Sequence, residues 1–495
     1  MKTLGIAVAC CASILITQSA SAQYAEDALR FSQYGLGVGA RNLGMGDASV
    51  GTVNDYTSLF WNPAGLALER DYEFSIGLSN NGLSNDATYL GLTQSASKNA
   101  TNLNNIGFVY PIATTQGSLT FGFGFGRVSN FNNTASFNAF NPQSSIVESM
   151  SPAAGTDLTG LSGDALANIL DNNLAFQTWL ADTSTIGGRL LMYPLVTDSV
   201  QQSAKILEGG GVNHWSFGGA LEIAKDLFVG ASLNFVSGTY TYDRQYTEQD
   251  VKNVYHYLPP AYDPAFDFNN LNYESTITSD LSGFNALFGM MLKKQGKYQI
   301  GLAVRTPTRY EINETFTDDL QSSFKYGDSY EMSSSGKTSY SITTPFVFSA
   351  GLSVQALDWL VLAGDAEYTD WTQMQFNTDN ADLIAENHYI TSNMQPTWNL
   401  RGGAELTFWS LGLKLRGGYI LNPSPYVGDP AKYDQQYLTG GIGYDLDNNV
   451  TLNGAYAYGW WSTFRNVYST DTQTYSTSNE DVKSNNIIVS LSYRF

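Results

Sequence analysis

Cysteine is nearly absent from this chain of 495 residues: there are two, Cys10 and Cys11, and both fall in the first 22 positions. Whatever follows that segment has no disulfide to staple it. Histidine is almost as scarce, and no spacing among His214, His256 and His388 suggests a metal site, so neither a metal nor a cofactor is expected. Charged residues make up only 14% of the chain, with 25 Lys and Arg against 45 Asp and Glu and a formal charge of −20. That balance argues against nucleic acid as a partner. Beyond the N-terminus no apolar run reaches the roughly 18 residues of a membrane helix, which excludes a helical membrane protein.

What the chain does have is 31 Tyr, 26 Phe and 47 Gly. Together with many Asn, Ser and Thr, these disfavour helix and suit strands and turns. The start reads as an export signal. Lys2 supplies the positive charge, Leu4 to Ile16 the apolar core, and Ala20-Ser21-Ala22 a small-residue cleavage site, so the mature chain is expected to begin at Gln23. A buried N-terminal helix is the alternative, but it leaves the cleavage pattern unexplained. An exported chain without disulfides needs another source of stability, and barrel closure is one.

The informative signal is alternation with period two, the mark of strands with one face in lipid and one toward a lumen. Leu400, Gly402, Ala404, Leu406 and Phe408 oppose Asn399, Arg401, Gly403, Glu405 and Thr407. The same alternation runs from Leu411 to Tyr419, from Val450 to Tyr458, and at the end through Ile487, Val489, Leu491, Tyr493 and Phe495. Each run is about the 9–11 residues that cross a bilayer when tilted. A soluble sandwich would account for the last strand alone. Short turns fit at 115–117, 225–226, 295–296, 357–358, 410 and 447–449. Long polar connections fit at 81–103, 130–212, 243–275, 313–337, 373–394, 422–435 and 461–484. Acidic clusters such as Asp318-Asp319 and Glu480-Asp481 fall in those connections and read as solvated loops. The prediction is an all-β fold, a fourteen-stranded antiparallel transmembrane β-barrel in a bacterial outer membrane, starting near Asp71. Residues 87–92 are assigned to the first loop, because bacterial barrels take even strand numbers. The longest connection carries a helix-like stretch from Asp164 to Leu180, either a cover for the rim or an apolar landing surface for a ligand.

Residues 23–70 do not alternate, and they are too apolar for a free tail, with Leu36, Val38, Leu43, Met45, Val50, Leu59, Phe60 and Trp61. The lumen of a fourteen-stranded barrel is wide enough to hold them as a hatch. The expected division is therefore signal 1–22, N-terminal hatch 23–70 and barrel 71–495. The hatch segment resembles that of the FadL/TodX family of hydrophobic-compound channels. The matching text is Ala28-Leu29-Arg30-Phe31-Ser32, then Gly39 through Ala48, then Asn62-Pro63-Ala64-Gly65-Leu66. The later blocks Arg305-Thr306-Pro307, Asp365 to Trp371, Trp398 to Glu405 and Arg416 to Pro425 are similar too, and the terminal Phe495 resembles the signal read by the barrel-assembly machinery.

That resemblance implies uptake of a hydrophobic small molecule or fatty acid: capture near the outer loops among lipopolysaccharide and other outer-membrane lipid, a pocket beside the hatch, a hatch shift, and sideways exit at a kinked strand. It also implies a monomer. Asn62, Pro63, Ala64 and Gly65 then form the hatch gate, or a static turn in the plug. Alternation points Glu222, Arg305, Asp365, Glu367, Arg401, Glu405, Lys414 and Arg416 inward. Arg305, Arg401 and Arg416 are anchors for a ligand carboxylate, or all these charges form an internal network tying hatch to wall; the mixture of signs favours the network. Other readings are a non-transporting barrel that anchors or shuttles secreted proteins, an open polar porin, and a lipase using His214 and Ser216 on an outer wall. No catalytic residue is expected.

Overall fold

The computed structural model describes residues 24–150, 157–257, 266–294, 297–447, 449–469 and 475–495. The signal segment, the turn at 295–296 and Asn448 lie outside the described residues.

The chain closes into an antiparallel barrel of fourteen strands. These are β1 (Glu73–Tyr89), β2 (Leu92–Ile112), β3 (Leu119–Asn130), β4 (Val200–Ala224), β5 (Leu227–Gln249) and β6 (Phe266–Lys294). Next come β7 in two pieces (Tyr298–Arg305, Arg309–Phe324), β8 in two pieces (Ser329–Thr343, Val347–Leu357) and β9 (Leu360–Asp370). The last are β10 (Pro396–Phe408), β11 (Leu413–Asn422), β12 (Gln435–Asp445), β13 (Val450–Ser469) and β14 (Tyr475–Arg494). β1 pairs with β14 from Glu73↔Arg494 to Tyr89↔Ser478, which leaves no edge at the seam. Outward residues are large and apolar over one band: Phe288, Met290 and Leu292 on β6, Ile300 and Leu302 on β7, Ile487, Val489, Leu491 and Tyr493 on β14 are all exposed. This is the lipid belt that the alternation predicts.

The outer side differs from expectation. Several of the presumed loops are paired ribbons. β1 and β2 stay in register up to Tyr89↔Leu92 and turn at Leu90-Gly91, where both residues adopt positive φ. Residues 87–92 are therefore strand and tight turn. The strand count stays even because both strands simply run on past the membrane, with Asn85, Ala87 and Tyr89 of β1 buried on one face and Ser84, Asp86 and Thr88 on the other. The same holds for β13 and β14, so Glu480 is no solvated loop acid: it is buried and paired with Arg465. Nor is Asp318 free in a loop, since it sits on β7 and accepts from Tyr273 Oη at 2.8 Å.

At the upper edge of the belt, level with exposed Trp215 and Phe235, the ladder between β2 and β3 ends. β2 and β3 pair only from Asn105↔Gly126 to Ile112↔Leu119; higher up β2 pairs with β1 alone and β3 with β4. A strand Asn133–Asn141 continues along β4. The insertion that follows has an apolar core built with Phe137, Ile146, Leu180 and Val196 against Tyr89, Tyr246, Phe268 and Tyr468. Its predicted single helix is two short ones, Gly163–Asp171 and Leu174–Gln177, because Asn173 caps the second by accepting from Phe176 N at 2.9 Å. β7 and β8 break at Pro307 and Pro345, which have no N–H for the ladder. Thr306 N still reaches Ala286 O at 2.9 Å and Thr344 N reaches Thr308 O at 3.0 Å, so the wall holds across both breaks.

Residues before β1 form α1 (Tyr24–Ser32), α2 (Ala40–Gly44), α3 (Ser58–Trp61) and a 3-10 turn (Pro63–Leu68). They lie inside the barrel as a hatch, against inward-facing glycines. A Cβ on Gly301 would meet Val50 O at 2.0 Å, one on Gly403 Met45 O at 2.1 Å, and one on Gly418 Gly46 N at 2.4 Å. Wall and hatch therefore touch backbone to backbone. Lipid-facing Gly364 has nothing nearer than 3.7 Å. Gly301→Val is accordingly expected to cost at least the roughly 1–3 kcal/mol of an overpacked core, and Gly364→Val to be tolerated. Melting of the heat-modifiable folded band on a gel distinguishes the two; equal stability would mean that the hatch yields easily.

Candidate functional site

The sequence-predicted residues divide into floor, network and cavity wall. Asn62 is fully buried. Its Oδ1 accepts from Ala64 N at 3.2 Å, which caps the 3-10 turn that Pro63 starts. Its Nδ2 donates to Val50 O at 2.9 Å and to Met290 O of β6 at 3.2 Å. Gly289, Gly230 and Gly301 leave the room for this: a Cβ on Gly289 would stand 2.0 Å from Asn62 Oδ1. Pro63, Ala64 and Gly65 are buried in the same wedge, and none of the four borders the large interior cavity.

The inward charges mostly pair with one another. Arg401 makes a two-point contact with Glu367 at 3.1 and 3.2 Å. Arg416 donates to Glu405 at 2.7 Å and to Asn453 at 2.8 Å, and hatch residue Arg41 reaches the same Glu405 oxygen at 3.4 Å. Asp365 accepts from Ser49 N at 2.6 Å and Val50 N at 2.7 Å, so one wall carboxylate holds two consecutive hatch amides. At the periplasmic rim Lys414 pairs with Asp445 at 2.9 Å, and Glu222 lies 3.9 Å from Arg70. Within the hatch, burial pushes the Asp47 carboxyl up to about 6, against the pull of Arg401 and the Gly37 amide. In α1, burial raises Asp27 to about 7 although Arg30 pairs with it. These are the contacts of a hatch tied to its wall.

Arg305 is different. Among the described residues no carboxylate lies within ion-pair distance of it; its guanidinium stacks 4.0 Å over the ring of Tyr34. Tyr34 Oη also meets His214 Nε2 at 3.1 Å and Asn285 Nδ2 at 3.3 Å. His214 is 2% exposed and Ser216 donates to Asn234 at 2.6 Å, so both face the interior and form no hydrolytic pair on an outer wall.

Above the floor lies a cavity of about 1740 Å³. It reaches from α1 and Leu36 of the hatch up to Ile169 and Leu174 of the outer insertion, and Arg305 and Glu367 border it. Its wall is mixed rather than apolar: Tyr240, Tyr242, Tyr273, Tyr437 and Trp461 alternate with Arg127, Asn130, Arg244 and Arg465. Sequence reasoning missed Arg244, Tyr273, Trp461 and Arg465 of this ring because it assigned 243–275 and 461–484 to loops. The signal that could have found one part of it is the run Gly209-Gly210-Gly211, an odd interruption in a barrel strand.

Glu405→Gln would leave the side chain of Arg416, 1% exposed, without its counter-charge. The expected loss is about 3 kcal/mol, the usual scale for breaking a buried pair. Arg305→Gln removes no ion pair and is expected to stay within about 1 kcal/mol, the worth of its ring contact. Denaturant melts of the folded barrel in detergent check both; equal losses would place Arg305 in the structural network.

No protein-family model and no curated protein matches the sequence. Solved structures do match the fold. The toluene transporter TodX of P. putida is 14% identical, with a TM-score of 0.54 over 93% of this chain and 99% of that one. A FadL homologue of Pseudomonas aeruginosa is 13% identical, with a TM-score of 0.53 over 93% and 99%. The toluene transporter TbuX of Ralstonia pickettii is 16% identical, with a TM-score of 0.50 over 93% and 99%. The likeness read in the hatch motifs thus extends to the architecture: the chain has the fold of the FadL-type plugged barrels.

Proposed function

We propose that the protein is an outer-membrane channel through which small hydrophobic compounds, including aromatic hydrocarbons and long-chain fatty acids, diffuse passively into the cell. The carrying observation is a large cavity above the closely packed hatch and wall, beside the place where the β2–β3 ladder ends and side chains of Asn85, Lys98 and Asn132 carry the contact instead. A ligand collected by the outer insertion enters the cavity. It cannot continue straight down, because hatch and wall are packed backbone to backbone below. The fork between β2 and β3, above the pair Asn105↔Gly126, is the sideways way out toward lipid.

The moving part, in this proposal, is the segment around Tyr34 rather than Asn62–Gly65. It joins α1 to α2, runs along the cavity, and is pinned to β3 by a single backbone bond, Gly35 N to Val128 O at 2.9 Å. Gly35, Gly37 and Gly39 give it backbone freedom. Displacing it from β3 uncovers the fork, while the Asn62 wedge stays as the fulcrum. The solved neighbours support the cargo class: they include a toluene transporter and a monoaromatic hydrocarbon channel.

The test is influx of labelled toluene and labelled oleate into cells with and without the protein. Equal influx would sink the channel reading. For the gate, the chain has no cysteine after Cys11, so Gly35→Cys with Ser129→Cys forms a clean lock. A Cβ on Gly35 would lie 3.7 Å from Ser129 Cα, within reach of a disulfide. Oxidation is expected to stop influx and a reductant to restore it; unchanged influx in the oxidised barrel would move the gate elsewhere.

A further inference from the structure

We infer that the periplasmic end of β4–β7 is a docking surface for anionic phospholipid, held by its headgroup in the inner leaflet of the outer membrane. The inference needs only the barrel and its sidedness, so it stands or falls apart from what the channel carries.

The short turns lie at the end where β1 starts and β14 stops, and Tyr72 N donates to Phe495 O there at 3.2 Å, which makes this the periplasmic end. In the β4–β5 and β6–β7 connections the outward rows of the lipid belt finish in lysine. Leu221 and Ile223 run down to Lys225, and Met290 and Leu292 run down to Lys294; all of them are exposed. Lys297, also exposed, precedes Tyr298, which opens the outward row Tyr298, Ile300 and Leu302. Lys293 stands half-buried behind them. Backbone bonds hold the two connections side by side: Lys293 N donates to Asp226 O at 2.9 Å, and Lys297 N to Lys294 O at 3.1 Å. With strands about 4.8 Å apart, Lys225, Lys294 and Lys297 share an arc of roughly 15 Å.

The protein itself does not neutralise these charges. Among the described residues no carboxylate lies within ion-pair distance of Lys225, Lys293, Lys294 or Lys297. The acids nearest in sequence and space are Asp226, Glu222 and Glu69; Glu222 lies 3.9 Å from Arg70, and Glu69 3.2 Å from Arg494. The chain has 45 Asp and Glu against 25 Lys and Arg, so such a cluster leaves a local positive field on an acidic molecule. The far side of the rim is built otherwise. Leu357, Trp359, Trp409, Leu411 and Leu446 are exposed at the turns between β8 and β13, and Lys414 there is paired with Asp445 at 2.9 Å. Apolar and indole tips enter an interface whatever its headgroups. Ammonium groups at the foot of lipid-facing rows reach headgroup level on their flexible stems and draw negative charge. A soluble anion would leave the apolar rows above unused. A phospholipid uses both, with its phosphate among the lysines and its acyl chains along Ile223, Leu292 and Ile300.

The experiment uses the full barrel in a non-ionic detergent and native mass spectrometry with two lipids of identical chains, dioleoylphosphatidylglycerol and dioleoylphosphatidylcholine. A lysine at an anionic surface is worth about fivefold in affinity, so the glycerol lipid is expected to be retained roughly tenfold over the choline lipid. Lys225→Gln, Lys294→Gln and Lys297→Gln combined should bring the two lipids level at unchanged heat-modifiability, since no ion pair is lost. Lys205→Gln with Lys337→Gln, both exposed on the outer ribbons, should keep the preference. Equal retention of the two lipids by the native barrel, or a preference that survives the triple variant, overturns the surface. Release of the lipid by inorganic phosphate or polyglutamate at the same charge concentration also overturns it, and assigns the lysines to a soluble anion or to an acidic protein.

Discussion

Close approach of the hatch backbone to the inner wall is the constraint on which the rest of the molecule depends. A barrel of this strand number has a lumen too wide for wall side chains to fill, and polar lumen residues alone would leave an open pore. Here the filling is a folded segment, and glycines turned inward let it lie against the strands. They recur around the circumference: Gly107 under Tyr56, Gly230 under Pro63, Gly289 under Asn62, Gly351 under Gly51, Gly441 under Gly44. Glycine weakens a strand, since it carries no side chain to pack and loses the most chain entropy. In a closed barrel every strand is held by two neighbours, so that cost is bearable, and what is gained is contact without a gap.

The charges follow from the same constraint. A hatch lying this close exposes its amides to the wall at low dielectric, where each needs a partner. Asp365 answers two of them, Asn62 ties its own turn to β6, and Glu405 sits between Arg41 of the hatch and Arg416 of the wall. Buried pairs of this kind are weak sources of stability but costly to break on one side, so they act as registration pins. They fix which hatch residue faces which strand. Of the arginines that a ligand-anchor reading would use, Arg401 and Arg416 are spent in ion pairs and Arg305 is not.

Much of this architecture was legible in the sequence because the membrane imposes it. Alternation from Asn399 to Phe408 and from Val450 to Tyr458 must appear wherever one face is lipid and the other lumen, and those strands stand where it puts them. Asn62 to Gly65 were legible as a motif, yet their depth was not, since the space they occupy is made by glycines on β5, β6 and β7. Above the membrane the rule lapses. The outer face of a ribbon meets water there instead of lipid, so β1 beyond Asn80 and β13 beyond Trp460 lose the apolar alternation and look like loops, although Asn85, Ala87 and Tyr89 are buried on the inner face. For the same reason Glu480 was read as a solvated loop acid and Arg465 was not singled out: Arg465 pairs with Glu480 on the next strand and with Glu208 on a distant one, and nothing local marks a buried ion pair. The breaks at Pro307 and Pro345 were visible as residues but not as a place where threonine side chains stand in for the ladder.

A polar cavity in a carrier of apolar cargo is less contradictory than it looks. Tight binding inside would trap a hydrocarbon that must leave again into lipid, where it is already comfortable. A wall of tyrosine rings set among hydrogen-bonding groups offers π faces and edges to the body of a ligand while keeping the cavity wet when empty. In the proposed route a ligand that leaves such a wall for the bilayer moves downhill, with the end of the β2–β3 ladder as the point where cavity and lipid meet. On that route the backbone-to-backbone packing of hatch on wall is what directs a ligand to the side of the barrel instead of downward.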